Sequence, residues 1–441
     1  MEKIKEQISI LPIEQIARDT NFTKRQAKKI TSMDYVASFM KCVFKGDISQ
    51  ANWTRELSRE IGIPLSAQSL QNKVQIRHEE FARELLKQSV QHILNREVKR
   101  FEGCSFLESF KSAKVHDSTC IKLPKDLMEL FPGSSSQKGS NSMARIQLSM
   151  DLLRGDYSKI AINSFRENDQ SYAMTLAESA QEGEFHLFDL GYFKLDALEM
   201  ISEKAHFLCR YTNVNVYKKG QSEPVDLVGH LKKIEKDGGT FWDANVKIGS
   251  KKKLPVRIVA LKVPQKVAQE RIRKAKNNRD KRMNYSKDYF YLLGWNIFFT
   301  NLDEERLPRK QILRIYGFRW RIEIVFKAWK SKLNFASLFN KQSYSLHSRG
   351  IIQLNLVLFT ITFFLTRLYK ELFNLVFEKT GRLLSMLKFA AFIKNNVEYL
   401  LNLYTNDIDN LIATLTYHYC YDKRKDRTNF VELLKLDIMN N

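Results

Sequence analysis

The stretch YGFRWRIEIVFKAWK, Tyr316 to Lys330, constrains this chain more than any other. Wound as an α-helix at 100° per residue, with Glu323 at zero, it gathers Ile315, Phe318, Ile322, Val325, Phe326, Trp329 and Leu333 on an arc from about −60° to −160°. Tyr316, Arg319, Glu323 and Lys330 share an adjoining stripe about 60° wide. The apolar face therefore lies beside the polar stripe rather than opposite it. Such a helix anchors in a core and holds its one carboxylate at the core's edge, where sites form. The plainer alternative is an amphipathic surface helix with an Arg319–Glu323 pair at i, i+4, which stabilises only weakly. That pair alone does not explain why Tyr, Arg, Glu and Lys share one stripe. The pattern predicts a long helix over Leu307–Phe335.

Elsewhere the hydrophobic period changes along the chain, which implies an α/β protein. Residues 1–100 read as helices. Within them Leu57–Val74 has the form of a helix-turn-helix, broken by Gly62 and Pro64 and capped by Ser66, and is a candidate DNA contact. Pro132–Ser142, rich in Gly, Ser and Pro, reads as a mobile loop. Arg145–Leu153 and Ser158–Phe165 alternate as strands around a Gly155–Asp156 turn and predict a hairpin. Glu184–Phe193 is a short apolar strand ending at Asp189, with Gly191 turning into a helix near Leu195–Lys204. His206–Tyr217 and Trp295–Thr300 are further strands. Between them, 212–290 reads as β-rich and basic, and Arg271–Arg282 is a basic run suited to phosphate contact. The regions expected are 1–100, a helical DNA-binding part; 101–211 and 291–370, two parts of one core; 212–290, an insertion; and 371–441, a helical end.

Charge narrows the partner. The 72 Lys and Arg against 49 Asp and Glu leave a net charge of +23. That favours an anionic partner, nucleic acid first and an anionic membrane second. The longest apolar run, Ile351–Leu365, is interrupted by Gln353, Asn355 and two threonines and reads as a buried core helix, not a membrane span. The first residues lack a signal-peptide apolar region. Five scattered cysteines form no CxxC pair, and the eight histidines show no HxH or HxxxH spacing. A reduced compartment is expected, without a zinc or other soft-metal site.

The spacing Tyr316-x2-Arg319-x3-Glu323-x6-Lys330 resembles the YREK signature of bacterial insertion-sequence transposases of the DDE class, the group typified by insertion sequence four. The RW-IE context is similar too, and the resemblance covers roughly residues 110–370. It implies an RNase H-like core interrupted by an insertion before its last acid, and two aspartates upstream. VHDST supplies Asp117, at the end of a short strand, and FDLGYF supplies Asp189. Leu190 departs from the polar or basic residue that many relatives carry there. Asp117, Asp189 and Glu323 are the catalytic and metal-binding set so implied. Two Mg²⁺ ions, with Mn²⁺ able to substitute, would serve the attacking and leaving oxygens of a phosphodiester exchange. Each aspartate also has a structural alternative: Asp117 capping the turn DSTC, and Asp189 capping the helix after Gly191. Asp151, mid-strand on a polar face, and Asp169 compete for the metal roles.

The resemblance further assigns Tyr316, Arg319, Lys330, Arg210 and Trp295 to DNA binding, Trp295 by stacking on a base. A core tryptophan is the equal alternative for Trp295, and a surface arginine for Arg210. The activity implied is metal-dependent cut-and-paste transposition: end cleavage, a hairpin intermediate and strand transfer. Its partners would be double-stranded DNA, as terminal inverted repeats and as target. The protein would work as a homodimer, joined through the apolar C-terminal helices, in the cytoplasm at the nucleoid. A catalytically inactive, transposase-derived DNA-binding repressor and a stand-alone RNase H-like nuclease are the alternatives.

Overall fold

The computed structural model describes residues 2–24, 29–94, 105–136, 139–277 and 285–422. They form two compact units. One comprises Met1–Phe101, Asp117–Glu167 and Trp320–Asn441; the other comprises Glu102–His116 and Asn168–Arg319. The strands among the described residues are β1 (Ser112–Leu123), β2 (Pro132–Ser136), β3 (Gly139–Asp151), β4 (Tyr157–Ser164), β5 (Glu184–Phe188), β6 (His206–Arg210), β7 (Val216–Lys218), β8 (Phe241–Ile248), β9 (Leu254–Lys262) and β10 (Trp295–Thr300). The protein is a mixed α/β structure in which sheet strands alternate with helices, as the changes of period predict.

In the second unit the first half of β1 pairs in parallel with β5, from Ser112 opposite Glu184 to His116 opposite Phe188. β5 pairs in parallel with β6. β10 then joins β6 antiparallel, and β9, β8 and β7 follow outward, also antiparallel. All five residues of β5 are buried, as befits a strand covered on both faces. The helix Leu195–Ser202 makes the β5-to-β6 crossover. The segment 212–290 is less β-rich than its sequence suggests. Besides β7, β8 and β9 it holds the helices Leu227–Lys236, Gln265–Lys276 and Lys287–Leu292. β9 is hydrogen-bonded to β10, with Trp295 opposite Lys262. This segment therefore extends the sheet of its unit.

In the first unit the β3–β4 hairpin forms as its alternation requires, with Ile146 opposite Ile162. The loop expected at Pro132–Ser142 is instead part of a second hairpin, β2 against β3, with Ser135 opposite Ser140. Main-chain pairing overrides composition there, because serine and glycine leave the ladder's N–H and C=O groups unobstructed. The core is built around the helix His347–Phe363, buried at every position but His347 and Arg349. The helical run His347–Thr380 is long and apolar enough to span a bilayer by length and composition, yet 94% of its most apolar window is buried inside the protein. Of its polar interruptions Gln353, Asn355 and Thr360 are paired internally, whereas the buried Thr362 hydroxyl has no hydrogen-bond partner among the described residues. Gln353 Nε2 donates to the Ile48 carbonyl at 2.8 Å, its Oε1 accepts from the Tyr344 hydroxyl at 2.7 Å, and Ser348 Oγ donates to the Val74 carbonyl at 2.8 Å. Buried polar groups so paired do not oppose burial of the helix.

Two helical expectations change. Ser66 does cap a helix, accepting from Ser69 N, and left-handed Gly62 does end the one before it. But the second helix, Ala67–Gln71, has five residues. At 1.5 Å per residue it spans about 7.5 Å, short against a major groove about 12 Å wide. The helix expected over Leu307–Phe335 is broken into Arg309–Gly317 and Trp320–Lys327, then a π-helical turn Ala328–Lys332 and a 3₁₀ turn Phe335–Leu338. The break lies where the Phe318 and Arg319 amides bond three residues back, to Ile315 and Tyr316, each at 3.1 Å. It coincides with the boundary between the units.

Candidate active site

The break divides the Tyr-Arg-Glu-Lys stripe between the units. Tyr316 and Arg319 belong with Asp189, and Glu323 and Lys330 with Asp117. Asp189 directly follows buried β5 and opens the short turn Leu190–Tyr192, but its carboxylate makes no capping bond. The helix-cap alternative for it therefore fails. The carboxylate is 38% exposed, and Oδ1 lies 3.6 Å from Arg319 Nε. The Tyr316 hydroxyl donates to the Phe188 carbonyl at 3.4 Å, one residue before Asp189. The Tyr316 ring lies 5.0 Å from Phe298, and the Arg319 guanidinium 5.9 Å above Tyr316. Burial, and then the Asp189 charge, push the Tyr316 phenol far above its usual range, against the charges of Arg319 and Arg210. Tyr316 is thus a neutral donor holding the end of β5.

In the first unit Asp117 lies within β1, which runs on to Leu123 rather than ending as a short strand. It caps no turn of a DSTC loop. Its Oδ1 accepts from Ser118 N at 2.8 Å, and Ser118 Oγ accepts from Arg145 at 3.0 Å. Lys330 has its ammonium pKa lowered by partial burial, while the charges of Cys120 and Asp117 oppose that shift. Glu323 is in the first turn of its helix, and half-buried.

The competing acids resolve differently. Asp151 is 3% exposed and ends β3, where its Oδ1 accepts from Leu153 N at 2.8 Å and Arg154 N at 3.2 Å. It ties the β3–β4 turn and is not on a polar face. Asp169 opens the helix Asp169–Ser179 against Gly191, where an added Cβ would stand 3.1 Å from its Oδ2. Trp295 is 3% exposed at the start of β10. Its face is covered by the core, so no base can stack on it as placed. Arg210 is exposed at the end of β6. Of the basic run Arg271–Arg282, the residues from 278 on lie outside the described residues.

One group escaped the sequence reading. Between β1 and β5, Ser112, Lys114 and His116 face Glu184 and His186, all within the second unit. Glu184 and both histidines are no more than 3% exposed. His116 Nε2 lies 2.9 Å from His186 Nδ1, and His186 Nε2 lies 3.3 Å from Glu184 Oε2. Ser112 Oγ donates to Glu184 Oε1 at 3.1 Å, and Lys114 is paired with the same oxygen. His186 Nε2 is near Glu184 but makes no hydrogen bond of good geometry, and which histidine donates to the other is set by their tautomers. Burial alone would raise the Glu184 carboxyl; the neighbouring His186 and Lys114 overcome it and hold the group at about 2. Burial lowers the His186 pKa, so the imidazole is neutral. The signal was present in the sequence: polar residues alternate in SAKVH and EFH while their neighbours are apolar.

Among the described residues, no three His, Cys, Asp or Glu side chains are grouped so as to hold a metal ion. The donor chemistry of Asp117, Asp189 and Glu323 is nonetheless all carboxylate oxygen, which suits a hard divalent cation.

Residues 108–345 match the protein family described as the transposase DDE domain. The transposase for insertion sequence element IS1151 of Clostridium perfringens is 29% identical over 351 residues, covering 75% of this chain and 73% of that protein. The transposase for element IS231F of Bacillus thuringiensis subsp. israelensis is 26% identical over 352 residues, covering 75% and 72%. A solved piggyBac transposase synaptic complex with hairpin DNA aligns at a TM-score of 0.41 and 10% identity, over 96% of this chain and 84% of that one. That likeness is too slight to carry a statement about the fold. With its acids, its basic and aromatic stripe and more than half its length falling within one family, the chain belongs to the DDE transposases, enzymes that cut and join DNA.

Proposed function

We propose that this protein moves an insertion sequence by metal-dependent cleavage of its DNA ends and transfer of the freed ends to target DNA. Enzymes of the DDE class work with divalent metal ions; two Mg²⁺, replaceable by Mn²⁺, are the reading proposed here. Asp117, Asp189 and Glu323 would hold them in an RNase H-like core. The observation that supports this most is the match of residues 108–345 to the transposase DDE domain, a stretch that takes in all three carboxylates.

When bound, the ions supply an activated oxygen nucleophile and a stabilised leaving oxygen. The chain's own groups do the rest. Arg319 and Lys330 neutralise phosphate oxygens of the scissile strand. Arg210, exposed at a strand end, holds the backbone further along. Tyr316 keeps the end of β5, and with it Asp189, in place. Cleavage breaks the P–O3′ bond at the element's end, water adding to phosphorus and the 3′ oxygen leaving as a hydroxyl. In transfer that hydroxyl adds to a target phosphorus, and the target's 3′ oxygen leaves. A hairpin intermediate was expected partly through Trp295, and the burial of that residue removes its support. Terminal inverted repeats as the bound ends, and two chains bridging them, belong to the same reading.

The test is an oligonucleotide duplex carrying the element's end, incubated with Mg²⁺ and a supercoiled target. Joined products from wild type but not from Asp189→Ala support the reading. Nicking without joining indicates a nuclease, and binding without nicking a repressor.

A further inference from the structure

The second unit carries an exposed aromatic pair that the reaction above does not use. Tyr285 and Tyr289 stack with ring centroids 4.3 Å apart and planes 13° from parallel. Phe290 braces both edge-on, at 5.9 and 5.8 Å, and Lys276 Nζ lies 5.9 Å from the Phe290 ring. Tyr289 is 38% exposed. Phe241, another exposed aromatic of this unit, is already covered by the Arg309 guanidinium, 3.6 Å from its ring centroid.

Cations predominate around the pair, with Asp288 the adjoining exposed acid. Arg210 is close enough for its charge to act on Tyr289 and on Arg271 of the helix Gln265–Lys276, and Lys276 of that helix lies by Phe290. The helix has no buried residue. It exposes Lys266, Arg273, Lys274 and Lys276 and carries one acid, Glu270, paired with Lys274 at 2.8 Å. Arg271 does not serve the surface. It donates to the Leu293 carbonyl at 3.3 Å and to Asn296 Oδ1 at 2.9 Å, which staples this helix to the start of β10. The helix thus rests on a half-buried stripe of Ala268, Arg271, Ile272 and Ala275 and turns four cations to solvent.

We propose that Tyr289, backed by Tyr285, is a stacking platform for an unpaired nucleobase of single-stranded DNA, with Arg210 and the helix Gln265–Lys276 holding the neighbouring phosphates. Bases within a duplex offer only their edges, so a ring face selects unpaired bases, and it does so without sequence preference. A cleaved DNA end supplies such bases, so this inference rests on the proposed reaction for its biological role though not for its measurement.

The test is equilibrium binding of the full-length, metal-free protein to a fluorescent oligo-dT of about 20 nucleotides and to a duplex of equal length. Tyr289→Ala should weaken the single strand about fivefold to a hundredfold and leave the duplex little changed. Tyr289→Phe should bind as wild type. Arg210→Gln should make the slope of log affinity against log salt shallower by about 0.7 for the single strand, whereas Tyr289→Ala should leave that slope alone. Single-strand binding by Tyr289→Ala equal to wild type overturns the proposal, as does an equal loss on both DNAs. Because no metal or cleavage enters, a failure here leaves the transposase reading intact. Loss of that reading through the Asp189 variant would leave this measurement standing.

Discussion

Replacing Glu184 by Gln tests how the start of β5 is held, and through β5 the placement of Asp189. Glu184 is 3% exposed, ties Ser112 and Lys114 across the parallel ladder and lies 3.3 Å from His186 on its own strand. Its carboxyl is held at about 2 against an ordinary value of 4.5. A difference of about 2.5 units corresponds to roughly 3 kcal/mol of stability at neutral pH. Because the folded value is depressed, that stability is fully present above pH 4.5 and is lost as pH falls toward 2. His186, also depressed, adds a loss in the same direction that begins as pH falls below its ordinary 6.5. The assay is urea unfolding of wild type and Glu184→Gln at several pH values, followed by hydrogen exchange at β1 and β5, since two units need not unfold together. The variant should be less stable by roughly 3 kcal/mol at pH 7, and the gap should close as pH drops from 4.5 to 2. A gap under about 0.5 kcal/mol, or one that does not change with pH, would refute the reasoning that the ionised carboxylate is what ties the strands.

Other consequences follow from single contacts. Lys370→Met leaves Asp156, which is fully buried and bonded to Lys370 at 2.8 Å, as an unpaired carboxyl. Thermal unfolding should show a loss of roughly 3 to 5 kcal/mol, much of it recovered in the double variant with Asp156→Asn. Tyr316→Phe removes one long hydrogen bond to the Phe188 carbonyl. It should slow strand transfer by no more than about tenfold and leave duplex affinity unchanged; a large loss of affinity would return Tyr316 to direct phosphate contact. Trp295→Phe should lower the melting temperature without weakening DNA binding, because Trp295 is a core residue. Duplex affinity should fall steeply between 50 and 200 mM salt, as expected of a chain of charge +23 that neutralises several phosphates.

The sequence proposes the site's residues but mispredicts the local geometry that carries them. Spacing alone picks out Tyr316, Arg319, Glu323 and Lys330, but the uniform helix behind that spacing does not exist. Two i-to-i−3 bonds at Phe318 and Arg319, and a π turn at Ala328–Lys332, interrupt it. Such breaks are decided by which core each half packs into, and hydrophobic period cannot reveal that. Strand β5 and the β3–β4 hairpin were legible because their patterns are local. β2 was not, since Pro132–Ser136 owes its strand form to its partner across the hairpin. Asp151 was misplaced, and Trp295 was left open between core and DNA contact, for one reason: exposure depends on what lies over a strand, and alternation shows only which side a residue is on.

The most direct test of the central claim is the rate at which Asp117→Asn, Asp189→Asn and Glu323→Gln nick end-bearing DNA in Mg²⁺, read beside their affinity for that DNA. If these three carboxylates together hold the reacting cations, each variant should lose about a thousandfold or more in rate while still binding the DNA. Nicking at the wild-type rate by any one of them would contradict the account.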